Sequence, residues 1–134
     1  MNNMEKGFRI EVKCHYDAWW RYNVAMMCGC FDTDDRRTDF VSTASDVADV
    51  GANLTVRPDG IPDRSRITLE TPPCDHALLY VYIIPHTLPT DNDIDNTRPF
   101  DIEIRIFSEG HLLHSEKRKI NQWSGASIEL KIKK

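Results

Sequence analysis

Three groupings of side chains have the types and spacing that could do chemistry. Asp91-Asn92-Asp93-Ile94-Asp95 sets three carboxylates two residues apart, which is how a calcium loop begins to offer hard oxygen ligands. An EF-hand then needs glycine and, at its twelfth position, glutamate. Asn96 and Ile102 occupy those places, so an EF-hand is excluded. A looser calcium loop using Asp91, Asp93 and Asp95 is the alternative to a plain solvated acidic loop. Cys28-Gly29-Cys30 and Cys74-Asp75-His76 form the second grouping. Residues i and i+2 of a strand face the same way. If the two segments were neighbouring strands, two cysteines and a Cys–His pair could meet around zinc; otherwise these are separately buried thiols.

The third grouping is a thiol nucleophile beside a histidine, which needs a base or a helix N-terminus to lower the thiol pKa. Cys14-His15 fails this, because adjacent strand residues point to opposite faces. His111 and His114, three apart on a strand, are likewise expected on opposite faces. No serine sits in a nucleophile elbow and no glycine-rich phosphate loop is present. The expectation is no enzyme and no catalytic residue. Trp19-Trp20 and Trp123 could stack on a sugar or a peptide, but aromatics of this kind more often fill cores or cover edges.

The elements that must position these groups are strands. Phe8, Ile10, Val12, Cys14 and Tyr16 alternate with Arg9, Glu11, Lys13 and His15, the period of a half-buried antiparallel strand. A second strand is expected from Trp20 to Phe31, with Trp20, Tyr22, Val24, Met26, Cys28 and Cys30 on one face. Asp39-Phe40-Val41 reads as a short strand, and Leu54-Thr55-Val56 and Ile67-Thr68-Leu69 as strand pieces around Pro58-Asp59-Gly60. Ala77 to Ile84 is a continuous apolar run, which suits a central strand covered on both faces. Phe100 to Ile106, His111 to Lys119 and Ala126 to Lys133 complete the set, with Glu109-Gly110 as a hairpin turn. No segment keeps a 3.6-residue apolar period. The chain is therefore expected to be all-β, a single antiparallel β-sandwich domain over residues 1–134, of about eight or nine strands.

Composition narrows the function classes. The formal net charge is −4, which argues against nucleic-acid binding, since that requires a basic face to displace counterions. The basic residues Lys117, Arg118, Lys119, Lys131, Lys133 and Lys134 read as a solvated strand face. No run of 18 apolar residues could span a membrane, and no apolar stretch after the first residues resembles a leader. The expected address is cytoplasmic, with the four cysteines as reduced, buried small hydrophobes.

From Asp39 to about His114 the order of short elements resembles the TerD-type tellurite-resistance and stress-response family. Asp39-Phe40-Val41, Gly51-Ala52-Asn53-Leu54-Thr55, Asp59-Gly60 and Asp63 follow one another here, similar to that family's Asp-Phe-Val strand, its Gly-Asp-Asn-Leu-Thr-Gly loop and its later Asp-Gly. Phe100 to Ile106 with Gly110 looks like its later strand and hairpin. The resemblance implies a β-sandwich that binds calcium, is not an enzyme, and acts in stress-resistance assemblies. The departures matter. The family's aspartate before Asn-Leu-Thr is Ala52, its following glycine is Val56, and no carboxylate lies from Arg21 to Ala25. Calcium wants six to eight oxygens, several of them charged, so the site is expected to be degraded or absent. Any residual site would rest on Asn53, Thr55, Asp59 and Asp63. The resulting expectation is a non-catalytic, TerD-like binding or assembly module of a bacterial stress or defence system, with a protein partner docking on loops or an open strand edge. A C2-like or carbohydrate-binding sandwich with a calcium loop at Asp91 to Asp95 is the alternative, and a cysteine-dependent or zinc enzyme using Cys28, Cys30, Cys74 and His76 is the third reading, behind both. The sequence leaves the homo-oligomeric state open.

Overall fold

The computed structural model describes residues 7–89 and 98–133. It contains eight strands: β1 (Phe8–Lys13), β2 (Tyr22–Phe31), β3 (Arg37–Ser45), β4 (Arg66–Glu70), β5 (His76–Pro85), β6 (Phe100–Ser108), β7 (His111–Ile120) and β8 (Ala126–Lys133). They form two antiparallel four-stranded sheets, ordered β4-β1-β6-β7 and β3-β2-β5-β8. The sheets pack face to face as a β-sandwich.

Period-2 alternation produces this arrangement directly. Phe8, Ile10 and Val12 of β1 pair in register with Ser108, Ile106 and Ile104 of β6, so their side chains share one face. On the other sheet Val24, Met26, Cys28 and Cys30 lie opposite Ile83, Val81, Leu79 and Ala77. All of these residues are buried. The two inner faces meet in one core, closed at one end by Trp19, Tyr22 and Phe100, whose rings lie 5.1–6.0 Å apart.

Several expected elements change. The second strand starts at Tyr22, because Trp19–Arg21 forms a single 3-10 turn with Trp19 and Arg21 donating to Tyr16 and Ala18. β3 is longer than Asp39-Phe40-Val41, running nine residues. Leu54-Thr55-Val56 is not a strand. Gly51, Asn53 and Gly60 take positive φ around it, which breaks an extended path. β7 carries a register shift opposite Ile106 and Phe107. The extra residue is Leu113, so His114 and His111 oppose the buried Ile106 and Ser108. A bulge thus places both histidines on the inner side, against the expectation of opposite faces. Gly125 enters β8 at φ +69, where a Cβ would lie 1.9 Å from the Ile83 carbonyl oxygen; only glycine can press this turn against β5. Among the described residues no helix is long and apolar enough to cross a membrane.

Candidate functional site

The continuous apolar run of β5 is covered on one face only. Ala77, Leu79, Val81 and Ile83 are buried, whereas Leu78, Tyr80 and Tyr82 are partly open and Ile84 is exposed. The register extends this outer face sideways. Tyr82 and Tyr80 oppose Ala25 and Met27 of β2, and these oppose Ala44 and Ser42 of β3. Phe40 of β3 lies opposite Gly29, which has no side chain to cover it, and is 54% exposed. Tyr80 and Tyr82 lie parallel, with ring centroids 6.4 Å apart. The outer face of this sheet is therefore an apolar and aromatic surface running from β5 to the edge strand β3, where a half-exposed sheet normally alternates to polar residues.

The four edge strands differ in how they resist further pairing. Exposed edges template β-addition unless they are short, bulged or carry charges. β4 is five residues long and bears Arg66 and Glu70. β8 presents Glu129, Lys131 and Lys133. β7 points His114, Glu116 and Arg118 inward, opposite Ile106, Ile104 and Ile102. His114 Nε2 lies 2.6 Å from one Glu116 oxygen, and Arg118 Nε bonds the other. Burial alone would raise the Glu116 carboxyl, but the His114 and Arg118 hydrogen bonds outweigh it and hold it below its ordinary value. Inward charge is one of the known guards of an edge. β3 carries charge only in its first half, at Arg37 and Asp39. From Phe40 to Ser45 it reads Phe-Val-Ser-Thr-Ala-Ser, without charge or proline. Its irregularity, an extra residue at Thr38, lies ahead of that stretch. β3 pairs with β2 alone.

Both ends of β3 are anchored. At its start Asp32 Oδ1 accepts the Asp34 and Arg36 amides at 2.8 and 3.0 Å. The Arg36 amide above all holds the Asp32 carboxyl below its ordinary value, with the Asp34 amide adding to it against an opposing effect of desolvation. At its end sits Arg64, only 8% exposed. Its Nε donates to Ser45 Oγ at 2.8 Å, one Nη to the Tyr22 and Ser45 carbonyls at 2.8 and 2.9 Å, and the other Nη to the Trp19 carbonyl at 3.3 Å. Its guanidinium lies 5.6 Å from the Trp19 ring centroid, and the Trp19 indole donates back to the Arg64 carbonyl at 3.0 Å. Desolvation by burial lowers the Arg64 pKa. One guanidinium thus ties β3, β2 and the 3-10 turn together. Sequence reasoning passed over Arg64, since nothing in Asp63-Arg64-Ser65 marks an arginine as buried.

The other groupings come out as follows. β2 and β5 are indeed neighbours, and Cys28, Cys30 and Cys74 come together as interacting thiols, but among the described residues they and His76 do not converge as a metal-holding set. Cys28, Cys30 and Cys74 are buried. His76 lies opposite Phe31 and stacks on its ring at 5.3 Å. Its ring nitrogens face Asp35 and Asp75, each at 2.8 Å. Cys74 precedes the strand that His76 begins, so strand alternation does not reach back to place both inward. Desolvation pushes the thiol of Cys28 up to about 12 and those of Cys30 and Cys14 up to about 11, the opposite of an activated nucleophile. The cleft of about 560 Å³ beside His76 is lined by Phe31, Asp75 and Lys131 among others, with no serine or cysteine.

Asn53, Thr55, Asp59 and Asp63 are all exposed. The Asn53 amide donates to the His86 carbonyl at 3.1 Å. Asp63 accepts the Ser65 amide at 2.9 Å, which holds its carboxyl low. Among the described residues no three His, Cys, Asp or Glu side chains converge to hold a metal ion. Asp91, Asp93 and Asp95 lie outside the described residues. Trp19 is buried and Trp20 leans over His86 at 6.3 Å, so the pair does not make one open stacking platform. His86 itself is buried, with Nε2 2.7 Å from the Trp20 carbonyl and Nδ1 2.8 Å from Thr87 Oγ1. A carbonyl can only accept, so Nε2 donates. Thr87 Oγ1 in turn accepts the Leu54 amide at 2.9 Å. Set against family models, curated proteins and solved structures, the chain matches none.

Proposed function

We propose that the protein is a non-catalytic binding and assembly module that takes its partner by strand addition at β3. One observation carries this reading: the Phe40–Ser45 half of β3 is an uncharged edge paired only with β2, and an apolar outer face continues from it across β2 and β5. In β-augmentation the main-chain hydrogen bonds of an open edge give affinity and the neighbouring side-chain surface gives selectivity. Both halves lie side by side here. The raised pKa values of the buried thiols favour binding over cysteine chemistry. The stress- or defence-system setting implied by the TerD-type resemblance belongs to the same proposal, with calcium binding at Asn53 to Asp63 lost or vestigial.

A photo-crosslinking amino acid placed at Ser42, on the outer face of β3, tests the reading in cells. The same group at Ser127, on the outer face of β8, is the control. Discrete adducts from Ser42 and none from Ser127 are expected. No adduct at Ser42, or an equal smear from both sites, would refute strand addition at β3.

A further inference from the structure

His76 makes two contacts that together require a proton on its ring. We propose that Asp35, His76 and Asp75 form a pH-sensitive latch. It pins the β2–β3 turn to the start of β5 while His76 is protonated, and lets Asp35 go once the ring is neutral. The latch is independent of strand addition at β3.

His76 is the first residue of β5 and lies opposite Phe31 of β2 and Lys133 of β8. Its ring stacks on Phe31, with centroids 5.3 Å apart and planes 11° from parallel, which fixes the plane in which both nitrogens point. Nδ1 lies 2.8 Å from Asp75 Oδ2, and Nε2 lies 2.8 Å from Asp35 Oδ1. An ionised carboxylate only accepts. A neutral imidazole has one N–H to give, and only the imidazolium donates from both nitrogens. The observed arrangement is therefore that of the charged ring. Loss of the proton sets a nitrogen lone pair against a carboxylate, and one of the two contacts is lost.

Asp35 is the partner free to leave. Its side chain is 85% exposed, against 26% for Asp75. It stands in the turn at φ 62, a backbone conformation uncommon outside glycine. Asp75 stays beside the ring because it adjoins His76 in the chain and its amide donates to the Phe31 carbonyl at 2.9 Å. The turn closes on itself, with the Asp35 amide donating to the Asp32 carbonyl at 3.1 Å and the Asp32 amide to the Arg36 carbonyl at 2.9 Å. The contact with His76 is what ties it to β5. Three other charged groups face the ring. Asp32, in the same turn, favours the imidazolium and is itself occupied by the Asp34 and Arg36 amides. Lys133, opposite His76, and Lys131, in the wall of the adjoining cleft, disfavour it from exposed positions on β8. The latched form holds the proton, so it is populated at acid pH and is lost as pH rises through the imidazole range. Release of Asp35 opens the cleft and turns the Nε2 lone pair toward it.

Long-range proton–nitrogen NMR of the His76 ring in the full chain, from about pH 5 to about pH 8, tests this with no substitution. Both nitrogens should be protonated at the acid end. At the alkaline end the remaining proton should sit on Nδ1, beside Asp75, where an unconstrained imidazole prefers Nε2. Over the same span, protection of the Asp35 amide, taken relative to its intrinsic exchange rate at each pH, should fall roughly two- to fivefold, the equivalent of one exposed ion pair. Its midpoint should coincide with that of the His76 ring. Asp35→Asn should abolish the fall, because an amide side chain can bond the ring in either state and asparagine tolerates positive φ. His76→Gln, which cannot titrate, should abolish it as well. Melting temperatures establish that both variants are folded. A neutral ring protonated on Nε2 overturns the proposal, as does Asp35 protection that ignores the titration of His76. A fall that persists unchanged in either folded variant belongs to another group, and also overturns it.

Discussion

Replacing Arg64 with alanine should be among the most damaging single substitutions outside the apolar core. The guanidinium donates four hydrogen bonds, to Ser45 Oγ and to the carbonyls of Ser45, Tyr22 and Trp19. Hydrogen bonds from charged groups contribute about 1.5–3 kcal/mol each, and a buried acceptor left without a donor costs about 1–3 kcal/mol. Simple addition overstates the loss, because alanine also relieves the cost of holding a cation out of water, a cost visible in the lowered Arg64 pKa. Water can also reach some carbonyls from the adjoining cleft lined by Cys14, Tyr16 and Arg57. A net loss of about 3–4 kcal/mol is expected, in line with removing one partner from a buried polar network. For a domain of this size that lowers the melting temperature by roughly 10 °C. Urea unfolding followed by tryptophan fluorescence measures it, and buried Trp19 beside Arg64 supplies the signal. Arg64→Lys should recover only part of the loss, because an ammonium cannot reproduce the planar fork that reaches acceptors on β3, β2 and the 3-10 turn. Arg66→Ala, on an exposed position of β4, is the control and should change stability by less than about 0.5 kcal/mol. If Arg64→Ala matches that control, the view of Arg64 as the clamp at the end of β3 is wrong.

Asp32 should make the β2–β3 turn acid-sensitive. Its folded pKa is depressed, so its contribution is present above the unfolded carboxylate pKa of about 3.9 and disappears as pH falls through the folded value. Protection of the Asp34 and Arg36 amides, taken relative to the intrinsic exchange rate at each pH, should fall as the pH is lowered below about 4 by more than in Asp32→Asn, and equal profiles would contradict this. Millimolar calcium against EDTA should leave the melting temperature unchanged; a working site at 100 times its Kd would raise it by roughly 3–6 °C. Native protein should react slowly with iodoacetamide at pH 7, with Cys14, Cys28 and Cys30 labelled only on unfolding, because burial raises all three thiols. Rapid labelling of one cysteine at a rate set by a pKa near neutrality would bring the thiol-enzyme reading back.

The architecture was legible where alternation is strict. Phe8 to Val12, Phe100 to Ile106 and Ala126 to Ile132 each show one apolar face and one charged face, and each became a strand of the sandwich. The apolar run Ala77 to Ile84 was also legible as a strand, but its meaning was inverted. It reads as doubly buried, whereas one of its faces lies open. Periodicity reports that a residue is apolar and not what covers it. β3 was harder to see, because Ser42, Thr43, Ala44 and Ser45 have weak contrast between faces, and only pairing with β2 fixes their length and register. The bulges at Thr38 and Leu113 have no signal of their own, yet the second decides where His111 and His114 point. Arg64 and His86 were invisible for a different reason. Their burial depends on carbonyls brought together from Trp19, Tyr22, Ser45 and Trp20, and that is a property of tertiary structure.

The inward ion chain of β7 also has a consequence for how the molecule breathes. The stretch from His111 to Arg118, which sets His114, Glu116 and Arg118 on the inner side, has little apolar area of its own to lose when it lifts away, and water can solvate what it exposes. β1, with Phe8, Ile10 and Val12 clamped between β4 and β6, has no such option. The sandwich is therefore built with an order of opening. The His111 end of β7 is expected to fray from β6 before the other strands open, while Ile120, fully buried, holds the far end of the strand in the core.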